Sequence, residues 1–358
     1  MPPPDPADAT AAVPFPARVE ARGFAGHPPG LTTLFLTELW ERFSYYGMKA
    51  LLVLFMVTPG AAGGLGMDTA HAARIYGNYT MAVYLLAIPG GFLADALFGL
   101  RRAVLVGGVI IALGHYTLAV PSVPTFYAGL ALVAIGTGLL KPNISALVGS
   151  LYGSGDERRD AGFSLFYLGI NVGAFIAPLV TGYLAQSEGF RGRLSVWGFD
   201  PAHCWHWGFA AAGVGMTLGL LVYVLQGERL AHVGARPAAR RVPWRGLGLV
   251  AAATAVLAAF ALVSDVPRFQ WLRFVFVAAP IAVALAFGFR RDAESRRVGA
   301  IAFFFFFSMV FWAIFEQAGS TIQLFGDRLT RTEVFGVPFP SAWYQSINSL
   351  FVIALAPL

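Results

Sequence analysis

The sequence predicts an all-α protein, a polytopic bundle of membrane-spanning helices, and three observations carry that prediction. Of the 358 residues 57% are hydrophobic and only 12% are charged, about half the charged share of soluble domains, which is roughly 25%. The apolar residues fall into runs of about 20, each long enough to cross a bilayer as a helix. The loops between them are short and rich in arginine, and the strict alternation of a membrane β-barrel is missing.

In chain order, residues 1–30 are rich in proline and alanine and read as a disordered cytoplasmic tail. They contain no early apolar stretch of the kind a cleavable signal peptide needs, so the first span is expected to act as its own insertion signal. Apolar spans follow at about 31–57, 75–98, 103–120, 125–150, 161–185 and 205–226. Two more, at about 246–264 and 271–289, are poorer in polar groups, and another covers about 299–326. A last run starts near Ala342 and is still apolar at Leu358. Glycine and proline within the spans suit close helix packing.

The net charge of +6 comes mostly from arginine. In a soluble chain such an excess would raise nucleic-acid binding, but here the positive-inside rule accounts for it. With the N-terminus in the cytoplasm, Arg101/Arg102, Arg158/Arg159, the Arg229–Arg245 cluster and Arg290–Arg297 all fall inside. The outer loops hold Arg191, Arg193, Arg268, Arg328 and Arg331.

The first span is unlike the others. It holds Glu38, Glu41, Arg42 and Lys49 together with Tyr45 and Tyr46, and each charge at the centre of a membrane helix costs at least about 2.5–3.5 kcal/mol. At about 100° per residue, Glu38, Arg42, Tyr45 and Lys49 share one surface and Glu41 and Tyr46 flank it. That seam must face a protein interior or a water-filled cavity. Other residues are costly where they stand. Lys141 lies deeper than a loop charge, so lipid-surface snorkelling explains it less well than a place facing a cavity. Asn171 sits mid-span, where it reads equally as a helix–helix hydrogen bond. Glu316 follows a phenylalanine-rich run and must be paired with a base, Lys49 or Arg42, or carry a proton. Trp312, Glu316, Gly319 and Gln323 share a helix face. Asp95 reads most simply as a salt bridge to Arg101 or Arg102 that could lock two helices.

Other chemistries find no residues to perform them. No phosphate-binding glycine loop, zinc-binding His/Glu helix or nucleophile–His–acid grouping is present. The lone Cys204 forms no intramolecular disulfide and belongs to no metal cluster. A membrane-embedded enzyme using Glu38 and Glu41 as an acid–base pair is a remote alternative.

These residues also carry a family resemblance. The run Glu38, Glu41, Arg42, Phe43, Ser44, Tyr45, Tyr46, Gly47 resembles the first-helix signature of the proton-dependent oligopeptide transporters of the major facilitator superfamily. Gly90–Arg102 resembles that superfamily's loop motif between helices two and three. Gly136–Asn143, then Asp160–Tyr167 and Asn171, are similar to the fourth-to-fifth-helix signature. Phe311–Gln317 and Ile347–Phe351 resemble motifs of the seventh and eighth helices. The likeness covers residues 31–358. It implies a six-helix N-terminal bundle at 31–226, a basic loop with two linker helices at 227–298, and the first two helices of a C-terminal bundle at 299–358.

It further implies a symporter that imports di- and tripeptides by alternating access. It would be driven by the proton gradient without a cofactor, a monomer in the bacterial inner membrane, and would bind no nucleic acid. Tyr45, Tyr46, Lys49, Tyr84, Lys141, Asn171, Trp312 and Asn348 match positions that bind peptide. Glu38, Glu41, Arg42 and Glu316 match the proton-coupling group. Lys49, Lys141, Glu316, Asp95 and Arg101 match gating positions.

Three departures qualify these expectations. Lys49 replaces the arginine of many members and loses its bidentate fork. Gly77 replaces a histidine, so no coupling route runs through that side chain. The sequence given resembles a C-terminally truncated bacterial member: the acid on the tenth helix, which in the family pairs with the fourth-helix lysine, is not in it. The nearest alternative is a related transporter of another small anion such as nitrate.

Overall fold

The computed structural model describes residues 23–235, 244–264, 268, 271–290 and 292–355. Among them it is helical almost throughout. Helices α1 (Pro29–Val57), α2 (Thr69–Leu93), α3 (Leu100–Leu118), α4 (Val123–Ser150), α5 (Arg158–Gln186) and α7 (Cys204–Leu225) form one bundle; the short α6 (Glu188–Val196) links the last two. Then come α8 (Trp244–Ser264), α9 (Trp271–Gly288), α10 (Ala293–Phe315), α11 (Thr321–Leu329) and α12 (Ser346–Leu355). A two-stranded hairpin, β1 (Glu333–Val334) and β2 (Val337–Pro338), joins α11 to the 3-10 turn Ser341–Gln345.

Among the described residues, five helical stretches are long and apolar enough, by length and composition, to cross a membrane: Thr69–Phe98, Val123–Ser150, Arg158–Gln186, Pro201–Leu225 and Ala293–Leu329. Helix α1 falls outside that set because its charged residues interrupt every long apolar window. It is instead the axis of the bundle, packed between α5 and α7 and touched by α2 and α4. Its burial on nearly every face, from Leu31 to Met56, is what allows it to be so polar.

Local chemistry sets the helix ends. The Asp68 carboxylate accepts the His71 N–H at 2.9 Å and starts α2, and Asp292 does the same for Ser295 at 2.8 Å before α10. Such caps satisfy amide groups that the first turn leaves free. Helix α2 crosses α4 at Gly90, where a Cβ would lie 2.0 Å from the Gly138 carbonyl oxygen. Asn143 spans the same crossing and donates to the Gly90 carbonyl at 3.3 Å.

Two core clusters fill the bundle. One, around Met48, Leu51, Phe55, Trp205 and Phe209, lies toward the α1–α2 loop. The other, around Leu34, Ile144, Leu147 and Met216, lies toward the start of α1. Helix α8 rests on α2, α9 pairs with α10, and α12 packs along α5.

Three expectations change. The predicted tail 1–30 is shorter at its inner end: residues 1–22 lie outside the described residues, but His27 is buried against the Tyr152 hydroxyl at 2.9 Å, and Arg158 donates to the Gly26 carbonyl at 3.1 Å. The ninth predicted span is not one helix. It breaks at a 3-10 turn, Glu316–Gly319, and Ser320 has φ −130° and ψ −92°. Asp95 makes no ion pair with Arg101 or Arg102 among the described residues. A π-helical turn, Ala94–Phe98, leaves it exposed, while Arg101 donates to the carbonyls of Gly227 and Ala231 in the segment after α7, each at 3.5 Å. Arg236, Arg240 and Arg241 of the predicted basic cluster, and Arg291, lie outside the described residues.

Candidate functional site

The charged seam of α1 is a compact cluster almost wholly shut off from the surface. Glu38, Glu41 and Arg42 are 3%, 0% and 4% exposed. Arg42 Nε stands 2.9 Å from Glu38 Oε1 and also contacts the Glu41 carboxylate. One turn of helix places Glu38 and Arg42 side by side, and Glu41 meets the guanidinium from its neighbouring position. Two acids against one arginine leave an unmatched negative charge, and the ammonium of Lys141 on α4 lies within electrostatic reach of both carboxylates. Buried charges persist only when paired in this manner.

A second polar centre lies farther along α1. Lys49, 6% exposed, meets Glu316 at 2.8 Å. The helix break holds the carboxylate there: α10 ends at Phe315, and the 3-10 turn swings Glu316 against α1 and α2. Tyr76 donates to Glu316 Oε2 at 3.4 Å, and Tyr84 donates to Oε1 at 3.2 Å. Gly319 allows the approach, because a Cβ there would sit 2.2 Å from the Tyr76 hydroxyl and 2.8 Å from Lys49 Cε.

Aromatic rings connect the two centres. Tyr45 and Tyr46 meet edge to face with centroids 5.4 Å apart. Arg42 lies 5.4 Å from the Tyr45 ring, and Lys49 lies 6.0 Å from the rings of Tyr45, Tyr46 and Tyr76. Lys141 stands over Tyr84 at 4.6 Å, within cation–π range, and Tyr84 faces Trp312 at 6.3 Å. Tyr84 and Trp312 are open to solvent, at 43% and 46%, whereas Tyr45 is sealed in the core. A rim of exposed aromatic rings over a buried ion network can take an amphipathic ligand, with one charge for each end.

Most of the expected site residues are therefore in one place: Glu38, Glu41, Arg42, Tyr45, Tyr46, Lys49, Tyr84, Lys141, Trp312 and Glu316. Asn171 is buried and donates to the Tyr167 carbonyl of its own helix at 3.0 Å, so among the described residues its bond stays within α5. Asn348 stands apart, exposed in a cleft of about 520 Å³ between α11 and α12 beside Gln323 and Gln345. The sequence reading missed Tyr76 and Tyr79, although hydroxyls spaced by a helical turn within an apolar span were the available signal. It also missed a polar clasp, in which Gln186 on α5 binds Ser341 and the Ala342 amide, each at 3.0 Å.

The family described as "PTR2: POT family" matches residues 101–358. The uncharacterised transporter YclF of Bacillus subtilis is 39% identical over 351 residues, covering 95% of this chain and 68% of its own length. The peptide transporter YePEPT of Yersinia enterocolitica is 39% identical over 362 residues, with 94% and 67% covered. Among solved structures, a mutant of the peptide transporter POT in complex with alafosfalin is 42% identical with TM-score 0.77, covering 95% of this chain and 68% of that one. A POT family transporter in complex with 5-aminolevulinic acid is 32% identical with TM-score 0.75, covering 94% and 70%. The family match over residues 101–358 and relatives about 40% identical over nearly the whole chain show that the chain belongs to the POT family.

Proposed function

We propose that the protein is a proton-coupled symporter that imports di- and tripeptides by alternating access, with no cofactor and no catalytic turnover. The observation that carries the proposal is the Lys49–Glu316 pair, an ion pair of 2.8 Å joining α1 to the turn after α10 beside a carboxylate–arginine cluster. Two relatives support the substrate class: the YePEPT protein is named a peptide transporter, and a relative from Lactococcus lactis, 37% identical over 360 residues, is named a di-/tripeptide transporter.

In this reading Lys49 and Lys141 attract the peptide carboxylate. Tyr46, Tyr84 and Trp312 shape the pocket, and Glu38, Glu41, Arg42 and Glu316 exchange protons. Protonation of Glu316 removes half of the pair with Lys49 and favours the state in which that side opens; a ligand or proton shifts such an equilibrium only by its differential affinity. Lys49, Lys141, Glu316 and Arg101 act at the gates. Residues 31–226 form one bundle, 227–298 the linker and 299–358 the start of the second bundle. The protein works as a monomer in the bacterial inner membrane with its N-terminus in the cytoplasm, which puts the Lys49–Glu316 gate on the outer side.

The test is uptake of a labelled dipeptide into proteoliposomes. Accumulation should rise with an inward proton gradient and be competed by dialanine. Uptake indifferent to the gradient would end the coupling claim, and competition by nitrate alone would replace the peptide by a small anion.

A further inference from the structure

The end of the bundle where α3 begins and α7 finishes holds a basic cavity that transport leaves unexplained. Its volume is about 400 Å³, and Phe98, Arg101, Arg102, Leu105, Tyr223 and Val224 line it together with the segment that follows α7. Its walls are held by hydrogen bonds. The Arg101 N–H donates to the Gly234 carbonyl at 3.3 Å, and the Tyr223 hydroxyl donates to the Arg101 carbonyl at 3.0 Å. The fold-back needs glycine at 234, where φ is +61° and a Cβ would lie 2.4 Å from Leu147. The Arg101 guanidinium is kept at this wall by neutral carbonyls, those of Gly227 and Ala231. Arg102 is exposed and makes no hydrogen bond or ion pair among the described residues. Asp95 and Glu228, the acids nearest to the lining in the chain, are exposed and pair with neither arginine among the described residues. Two positive charges therefore stand without a counter-charge. Beside them the surface is apolar. Arg102, Val106, Val109 and Leu113 follow one another at helical spacing, so the arginine heads an exposed apolar stripe on α3. Val224 and Leu225 on α7 are exposed as well.

We propose that this cavity binds the headgroup of an anionic phospholipid, its phosphate between Arg101 and Arg102 and its acyl chains along the Val106–Leu113 stripe and Val224. Charge complementarity selects that occupant. A phosphodiester suits the guanidinium fork, and a headgroup with no cation of its own leaves its negative charge for the two arginines. Phosphatidylethanolamine carries an ammonium that cancels it, and a free phosphate leaves the apolar wall unused. In the proposed orientation this end faces the cytoplasm, where anionic lipids of the inner leaflet attract basic groups beside membrane helices. The bound lipid bridges α3 and α7 and stabilises the bundle according to its occupancy. The site requires the membrane placement of the bundle and is independent of peptide and proton coupling.

The full-length protein in neutral detergent is titrated with phosphatidylglycerol or with phosphatidylethanolamine of the same acyl chains. Bound lipid is counted by native mass spectrometry, and Tm is followed in parallel. The wild type should retain a phosphatidylglycerol where phosphatidylethanolamine is shed, and its Tm should rise with phosphatidylglycerol alone. Arg102→Gln should weaken retention about fivefold, the worth of one basic side chain beside an anionic membrane surface. Arg102→Lys should recover most of that loss. The side chain is exposed and holds no structural bond, so neither substitution disturbs the fold. Arg159→Gln removes an equally exposed arginine from the same end of the bundle, outside the cavity, and should leave retention unchanged. Equal retention of the two lipids, or an equal loss in Arg159→Gln, would reduce the effect to general surface charge and overturn the site. Displacement of the lipid by glycerol phosphate at similar concentration would show a site for a free anion and overturn the phospholipid.

Discussion

Lys49 Nζ and Glu316 Oε2 are 2.8 Å apart, although 267 residues separate them in the chain. The contact depends on a helix that stops. Had α10 run on through residue 320, the carboxylate would have followed the helix surface; the 3-10 turn at Glu316–Gly319 directs it to α1 instead. Glu316→Gln keeps the side-chain shape and removes the charge from a pair whose two side chains are 8% and 18% exposed. Removing one partner of a buried pair costs up to about 3–5 kcal/mol, enough to invert the gate populations. Spin labels at the exposed Ala61 and Phe335 should report longer distances in Glu316→Gln than in the wild type. Gradient-driven uptake should disappear while exchange partly survives.

Gly319 makes the same contact sterically possible. Its substitution by alanine would place a Cβ 2.2 Å from the Tyr76 hydroxyl and 2.8 Å from Lys49 Cε. The Tyr76 hydroxyl donates to Glu316 and Lys49 Cε carries the ammonium paired with it, so moving either side chain disturbs the contact with Glu316. Gly319→Ala should therefore move the label distance in the same direction as Glu316→Gln with the carboxylate intact. Acidification should have less effect on that distance in the variant than in the wild type, because the gate is already held apart.

A clasp on the same side gives an independent handle. Gln186 receives the Ala342 N–H and donates to Ser341, both at 3.0 Å, and Ser341 donates in turn to Asp327 at 2.5 Å. Gln186→Ala leaves a buried Ser341 hydroxyl and an amide short of partners, at a cost of about 1–3 kcal/mol. A fall in Tm with unchanged peptide affinity in the inward-facing state is expected. Gln186→Glu should behave differently, since its carboxylate would face Asp327 across Ser341.

The α1 seam was legible because four charges in one span admit few explanations, and their period fixes the shared face. Glu316 was legible for the same reason, and its base partner was one of two named beforehand. What the sequence could not show was helix rotation and helix breakage. Asp95 sits near two arginines in sequence, yet a π-helical turn leaves it exposed and Arg101 bonds the 227–231 loop instead. Asn348 depends on how α12 lies along α5, a contact between segments some 170 residues apart. Tyr76 and Tyr79 escaped notice because tyrosine in a membrane span is commonplace; only the position of their hydroxyls relative to Glu41 and Glu316 sets them apart.

Outside the membrane-spanning segments, the α4–α5 loop supplies a prediction with a definite pH window. Arg158 donates from its backbone N–H and its Nε to Asp156 Oδ1 at 3.0 Å, and from Nη2 to Oδ2 at 2.8 Å. These bonds hold the Asp156 carboxyl down at about 2, from its ordinary 3.8. A carboxyl lowered on folding lends its stability above the ordinary value, and that contribution is lost as the pH falls through the lowered one. The loop, and with it the Arg158 contact to the Gly26 carbonyl, should thus hold from neutral pH down to about 4 and loosen on further acidification toward about 2. Amide exchange at Arg158, corrected for its intrinsic pH dependence, should be protected over that range. Asp156→Asn should lower the protection already at neutral pH and flatten the acid transition. If the wild type instead lost its protection around pH 4 to 5, the Arg158 bonds would not be holding the carboxylate.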